Sequence, residues 1–245
     1  MASRLQIKKA LKYGMIGEGE GATIAEKFAT AKAAGFDGVE MDSPSDLDAD
    51  EILAARDASG LAIPGVVDSA HWRDTLSHPE AEVRARGLAA LETALRDAAT
   101  FGATTVLLVP AVVNEQVSYA DAYARSQAEI RKALPLAEEV GVKIAIENVW
   151  NGFLLSPLEA ARYIDEFESD HIGWYFDIGN IVNYGWPHHW IEALGQRILK
   201  LDIKDFSRTK RDEEGLWKDV QADRAYEWLR LLRIRYRKGN EAKSA

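Results

Sequence analysis

The chain has 245 residues, 47% of them hydrophobic, and a formal net charge of −9. That is enough for one large α/β domain with a sizeable core. The absence of cysteine excludes disulfides, thiolate zinc sites and cysteine nucleophiles. The acidic balance argues against a general phosphate-backbone binder, but leaves room for a small phosphorylated substrate held by one or two local cations.

Residues 1–12 are basic and poor in apolar side chains, unlike the core of a signal peptide. No later run has the length of a membrane span. The expectation is a soluble, cytoplasmic protein with neither a membrane nor a nucleic acid as partner.

One unit recurs along the chain: amphipathic helix, glycine, apolar strand. A strand over 12–16 opens it. Helix 25–34 runs into Gly35 and a strand over 37–41 that ends near Glu40. Helix 51–59 runs into Gly60 and a strand over 61–67. Helix 80–101 runs into Gly102 and strand 104–109; helix 119–140 runs into Gly141 and strand 143–147. Each glycine stands where a helix C-terminus favours a left-handed residue. Ser77 with Glu80, and Ser118 with Asp121, have the spacing of helix N-terminal boxes. Helix 157–167 precedes a strand over 172–176 that ends at Asp177, and helix 187–196 precedes a strand over 198–203 that carries Asp202.

Seven strands alternating with helices imply a parallel sheet, and the lack of a composition break favours a (β/α) barrel. A doubly wound sheet is the alternative. Gly14, Gly17, Gly19 and Gly21 are only a loose version of its glycine fingerprint, since no acidic strand end follows in frame.

The run from Gly141 to Asn151 ends a strongly apolar strand in one carboxylate and two carboxamides. A buried carboxylate needs compensation. Side-chain parity places Ala145 with Glu147, Gly173 and Tyr175 with Asp177, and Lys200 and Lys204 with Asp202, opposite the greasy set. Three acids on consecutive strands then converge at the C-terminal mouth, where barrel enzymes place their chemistry. Inward carboxylates repel unless a cation lies between them, and an all-oxygen set suits magnesium or manganese. The bland alternative is loop capping, or pairing with Lys204 or Arg208.

His71 follows the third strand and can reach the mouth. Glu40, at the end of the second, can bind a sugar hydroxyl. His171 lies at the opposite end of its strand and reads as structural; His188 and His189 open a helix and read as loop or solvent residues. Trp150, Trp186 and Trp190 flank the mouth loops, where aromatic faces stack on sugars or pack between loops.

The segments Ile146-Glu147-Asn148-Val149-Trp150-Asn151, Tyr175-Phe176-Asp177-Ile178-Gly179-Asn180 and Leu201-Asp202-Ile203-Lys204-Asp205-Phe206-Ser207-Arg208 resemble the sugar phosphate isomerase/epimerase family of the xylose-isomerase-like TIM barrel superfamily. The resemblance implies a divalent metal ion, Mn2+ or Mg2+, held by a glutamate on strand five, an aspartate on strand six, a histidine on strand seven and a glutamate on strand eight. Glu147 and Asp177 match the first two; Asp202 stands in the histidine's place. Glu147 is then both ligand and catalytic residue. Arg208 matches a substrate-contacting arginine, with Lys204, His71 and Glu40 as further substrate contacts. The implied reaction is proton transfer next to a ketone of a sugar or sugar phosphate, through a metal-bound enediolate served by two glutamates.

The chain departs from that pattern at its end. The barrel reading covers residues 1–218, and 219–245 is an atypical basic tail with no strand ending in glutamate; Glu241 lies in a polar stretch. A helix over 223–232 and an irregular edge strand over 232–236 are expected, with an eighth β/α unit atypical or missing. An incomplete barrel implies impaired epimerisation and exposed strand edges, hence a homo-oligomer or poor solubility. The competing readings are a non-catalytic sugar-binding barrel, a metal-dependent hydrolase or nuclease acting on abasic DNA, and an inosose-type dehydratase.

Overall fold

A computed structural model describes residues 7–16 and 22–214. The basic tail, the expected helix and edge strand within it, and most of the glycine-rich stretch lie outside the described residues. The chain divides into two compact units. Among the described residues, the larger comprises 7–16, 22–146 and 169–172, and the smaller 147–168 and 173–214.

The larger unit repeats strand and helix in chain order: β1 (Ala10–Lys12), α1 (Ile24–Ala33), β2 (Gly38–Ser43), α2 (Ala49–Ser59), β3 (Val66–Asp68), α3 (Ala81–Phe101), β4 (Thr105–Leu108), α4 (Tyr119–Val140) and β5 (Lys143–Glu147). Every neighbouring pair is parallel. The register sets Lys12 beside Glu40, Asp42 beside Val67, Val67 beside Leu107, and Leu107 beside Ala145, so these share one face. Helix α3 packs on the other face, against β2, β3 and β4. There Ser43 Oγ donates to Asp97 of α3. Val39, Met41, Val106, Ile144 and Ile146 are buried, as parallel strands covered by helices require.

Local signals explain the boundaries. Thr23 and Glu26 form a reciprocal capping box at the start of α1, and Ser118 Oγ accepts the Asp121 N–H at the start of α4. Gly141 ends α4 at φ 70°, returning its N–H to the Ala137 and Glu138 carbonyls, and launches β5.

Four expectations are corrected. The first strand is Ala10–Lys12 rather than 12–16, because Tyr13–Met15 closes into a 3-10 turn. The third is confined to Val66–Asp68. Pro64 has no N–H for a ladder, and residue 62 makes only a single bridge to Gly38, although Leu61 and Ile63 are buried. β2 runs on to Ser43, which leaves Glu40 in mid-strand rather than at its end. Ser77 caps nothing; its hydroxyl accepts from the Val112 N–H at 3.0 Å, and Glu80 is the uncapped N-terminus of α3.

The smaller unit contains α5 (Pro157–Asp165), β6 (Ile172–Asp177), α6 (Ile178–Val182), α7 (Pro187–Leu194), β7 (Ile198–Asp202) and α8 (Arg208–Glu214). β6 and β7 are parallel, with Asp177 directly beside Asp202 and a register shift at Trp174/Tyr175. Trp174 and Phe176 are fully buried. β7 is half-buried along its whole length. Among the described residues no helix is long and apolar enough to cross a membrane.

Candidate metal centre

Three strand ends build the centre. Glu147 is the last residue of β5, Asp177 of β6 and Asp202 of β7. Parallel neighbours lie about 4.8 Å apart, so the aligned Asp177 and Asp202 are forced close. One oxygen from each of Glu147, Asp177 and Asp202 falls within 4.8 Å of the others. Glu147 and Asp177 are buried and Asp202 is half-buried.

Asp177 is the most constrained. It is 0% exposed, and its Oδ1 accepts the Asn180 N–H at 2.8 Å, capping α6. Its Oδ2 lies 2.7 Å from Lys204 Nζ, in an ion pair whose angle leaves that oxygen without an aligned hydrogen bond. Burial raises its pKa, the Lys204 ammonium pulls it down, and the neighbouring Asp202 pushes it up again.

Asn148 frames this aspartate. Its Nδ2 donates to the Asp177 carbonyl at 2.7 Å, and its Oδ1 accepts the Asp177 N–H at 3.0 Å and the Trp174 indole N–H at 2.9 Å. The indole is a donor only, which fixes the oxygen on that side. Asn180 Nδ2 returns a bond to the Asn148 carbonyl at 2.9 Å, and Trp150 Nε1 donates to the Asn180 carbonyl at 3.1 Å. Asn148 and Asn180 lie in the two motifs, and nothing in the sequence alone assigns them a role. The available signal was a pair of carboxamides, each within three residues of a strand-end acid.

Lys204 thus reaches the cluster through Asp177. Arg208 does not point its whole fork outward: Nε donates to the Val182 carbonyl at 2.6 Å, Nη2 to the Gly185 carbonyl, and the guanidinium stacks 4.5 Å from the Trp186 ring. Trp186 is half-exposed, whereas Trp190, expected beside a mouth loop, is buried against Trp174. His188 and His189 sit in the first turn of α7, edge to face at 4.2 Å. His171 lends its carbonyl to the Ile144 N–H, at the start of its strand as expected.

Glu40 and His71 belong to the larger unit. Glu40 is buried in the space left by Gly65, where an added Cβ would stand 2.6 Å from its Oε1. His71 is buried, and its Nδ1 accepts the Val109 N–H at 3.3 Å. Burial, then the Lys12 charge, lowers its pKa to about 4, so the ring is neutral near pH 7 and its other nitrogen carries the proton.

A hard divalent ion fits the three carboxylates. Every donor is oxygen, the spacing lets all three meet one ion, and the misaligned Asp177 Oδ2 is a buried anionic atom suited to a cation.

Parallel β/α units and a carboxylate cluster at the strand C-termini define an α/β protein of the TIM-barrel type with a cation-competent site. The sequence profile described as xylose isomerase-like TIM barrel matches residues 28–228, and the chain belongs to that family. It is 28% identical over 167 residues to L-ribulose-5-phosphate 3-epimerase UlaE of Escherichia coli O1:K1, a match spanning 64% of this chain and 59% of that protein. The crystal structure of 3-keto-D-glucoside 4-epimerase YcjR from E. coli is similar at a TM-score of 0.69, with 19% identity and coverage of 81% and 80%. That of D-psicose 3-epimerase in the presence of D-fructose gives 0.68, with 20% identity and coverage of 80% and 72%.

Proposed function

We propose that the chain is a sugar or sugar-phosphate isomerase/epimerase that works with a divalent ion, Mn2+ or Mg2+, held by Glu147, Asp177 and Asp202. The observation that carries this reading is the meeting of the three strand-end carboxylates within 4.8 Å, in a chain whose sequence relative UlaE is an L-ribulose-5-phosphate 3-epimerase.

When bound, the ion polarises the substrate carbonyl and offsets developing negative charge, an effect worth roughly several kcal/mol. The side chains do the rest. Glu147 sits in the cluster as the base that takes the proton from the carbon next to the ketone, a role worth on the order of 10²–10⁴-fold. Asn148 and Asn180 hold Asp177 in one orientation, so the anionic oxygens are preorganised. Arg208 and Lys204 are the candidate contacts to hydroxyls or a phosphate beside the cluster.

A second reading is sugar binding without turnover, in which the same three carboxylates hold the ion and no proton is moved.

Incubation with ketopentoses, ketohexoses and their phosphates in D2O with Mn2+, followed by NMR, separates the two. Epimer formation with deuterium next to the carbonyl is expected. Deuterium exchange without epimer would identify a one-sided proton transfer. Binding with neither would leave the non-catalytic reading and overturn the enzymatic one.

A further inference from the structure

The cluster contains a positive charge of its own. Lys204 Nζ lies 2.7 Å from Asp177 Oδ2, the oxygen that the Asn180 N–H leaves open. The lysine stem crosses the α6 turn where residue 179 has no side chain: a Cβ on Gly179 would stand 2.5 Å from Lys204 Cγ and 2.5 Å from its carbonyl oxygen. A glycine at this close approach keeps the lysine path to Asp177 open.

Charge counting gives this contact a meaning. Three ionised carboxylates and one ammonium sum to −2, the complement of a divalent ion. A lysine and a divalent ion cannot both sit against the same buried oxygen without strong repulsion at low dielectric. Asp177 is fully buried, while the Lys204 side chain remains one-third exposed. The partner able to leave for water is therefore the lysine, on a flexible four-carbon stem.

Building on the metal-dependent reading above, we propose that the Lys204 ammonium is the resident counter-ion of the metal-free site. The divalent ion binds by displacing it from Asp177 Oδ2, and Lys204 thereby sets the metal affinity. Lys204 is then a positioning residue with two stations: on Asp177 before the ion arrives, and beside the cluster, available to a substrate hydroxyl or phosphate, afterwards.

The test is calorimetric titration of Mn2+ into metal-free wild type, Lys204→Met and Lys204→Arg, with melting temperatures taken without and with Mn2+. Removing the competing charge should tighten Mn2+ binding on the order of tenfold in Lys204→Met, lower the melting temperature of the metal-free protein, and enlarge the rise that Mn2+ produces. Lys204→Arg keeps the charge and should bind Mn2+ no better than wild type. Binding by Lys204→Met alone would support the same competition in its strongest form. If wild type binds Mn2+ and Lys204→Met binds equally or more weakly, with both melting temperatures falling in parallel, Lys204 is only a tether and this inference fails while the metal-dependent reading stands. If none of the three binds Mn2+, both fail together.

Discussion

Each unit of the molecule buries an aspartate at or near the end of a strand, and the two solve the problem differently. In the larger unit Asp68 closes β3 at 1% exposure. Its Oδ1 accepts the Ala70 N–H at 2.9 Å, and the His71 N–H adds a second bond. Burial still raises it to about 7, with Asp74 contributing, so it gives up its proton only as pH rises through about 7. In the smaller unit Asp177 closes β6 with Asp202 alongside, Glu147 in the same cluster and a lysine against it. A lone buried acid can be neutralised by a proton. Three that converge call for a cation, and the framing by Asn148 and Asn180 holds the anionic oxygens ready for one.

The largest effect should come from breaking that frame. Asn148→Ala strips the acceptor from two buried donors, the Trp174 indole and the Asp177 N–H, and the donor from the Asp177 carbonyl. We expect a stability loss of about 3 kcal/mol or more by denaturant unfolding, accompanied by weaker Mn2+ binding. Unchanged stability would mean that the network does not order Asp177.

Asp68 sharpens the contrast through pH. Its pKa is raised from the ordinary 3.8 to about 7 on folding. The folded chain therefore binds that proton more tightly, and the resulting stability is full below the ordinary value and lost as pH rises through about 7. Asp68→Asn keeps an acceptor for the Ala70 N–H and removes the titration. Its stability relative to wild type should rise between about pH 5 and pH 8, by on the order of 2–4 kcal/mol. Parallel profiles for the two proteins would show that Asp68 does not titrate in that window.

Arg208→Lys should have the smallest effect. A lysine cannot reproduce the two backbone bonds and the stacking on Trp186 together. A loss of about 1 kcal/mol is expected from thermal unfolding. No loss would free Arg208 for the substrate role drawn from its position in the sequence.

Much of the architecture was legible because buried parallel strands read as apolar runs and helix ends carry glycine. Gly141, the β5 run and Glu147 are found where the sequence placed them. The misplacements share a cause, since periodicity does not say where pairing starts and stops. Tyr13-Gly14-Met15 alternates like a strand but turns. Pro64 breaks a run whose residues are nevertheless buried. Glu40 has the correct parity, yet β2 continues three residues beyond it.

Ser77 has the spacing of a cap, but its hydroxyl is taken by a residue 35 positions away. In the site, the convergence of Glu147, Asp177 and Asp202 was readable from strand ends. The pairing of an acid with Lys204 was also readable, as the alternative to a metal, and is found at Asp177; the role of Asn148 was not, because its partners lie 26 to 29 residues distant in the chain.

In the proposed function, the three strand-end carboxylates form one divalent-ion site. Its most direct test is calorimetric titration of Mn2+ into metal-free wild type, Glu147→Gln and Asp177→Asn, with each fold checked by circular dichroism. One ion per chain is expected in the wild type, and at least about a hundredfold loss of affinity in either folded variant. Wild type that binds no Mn2+, or variants that bind as well as wild type, would contradict it.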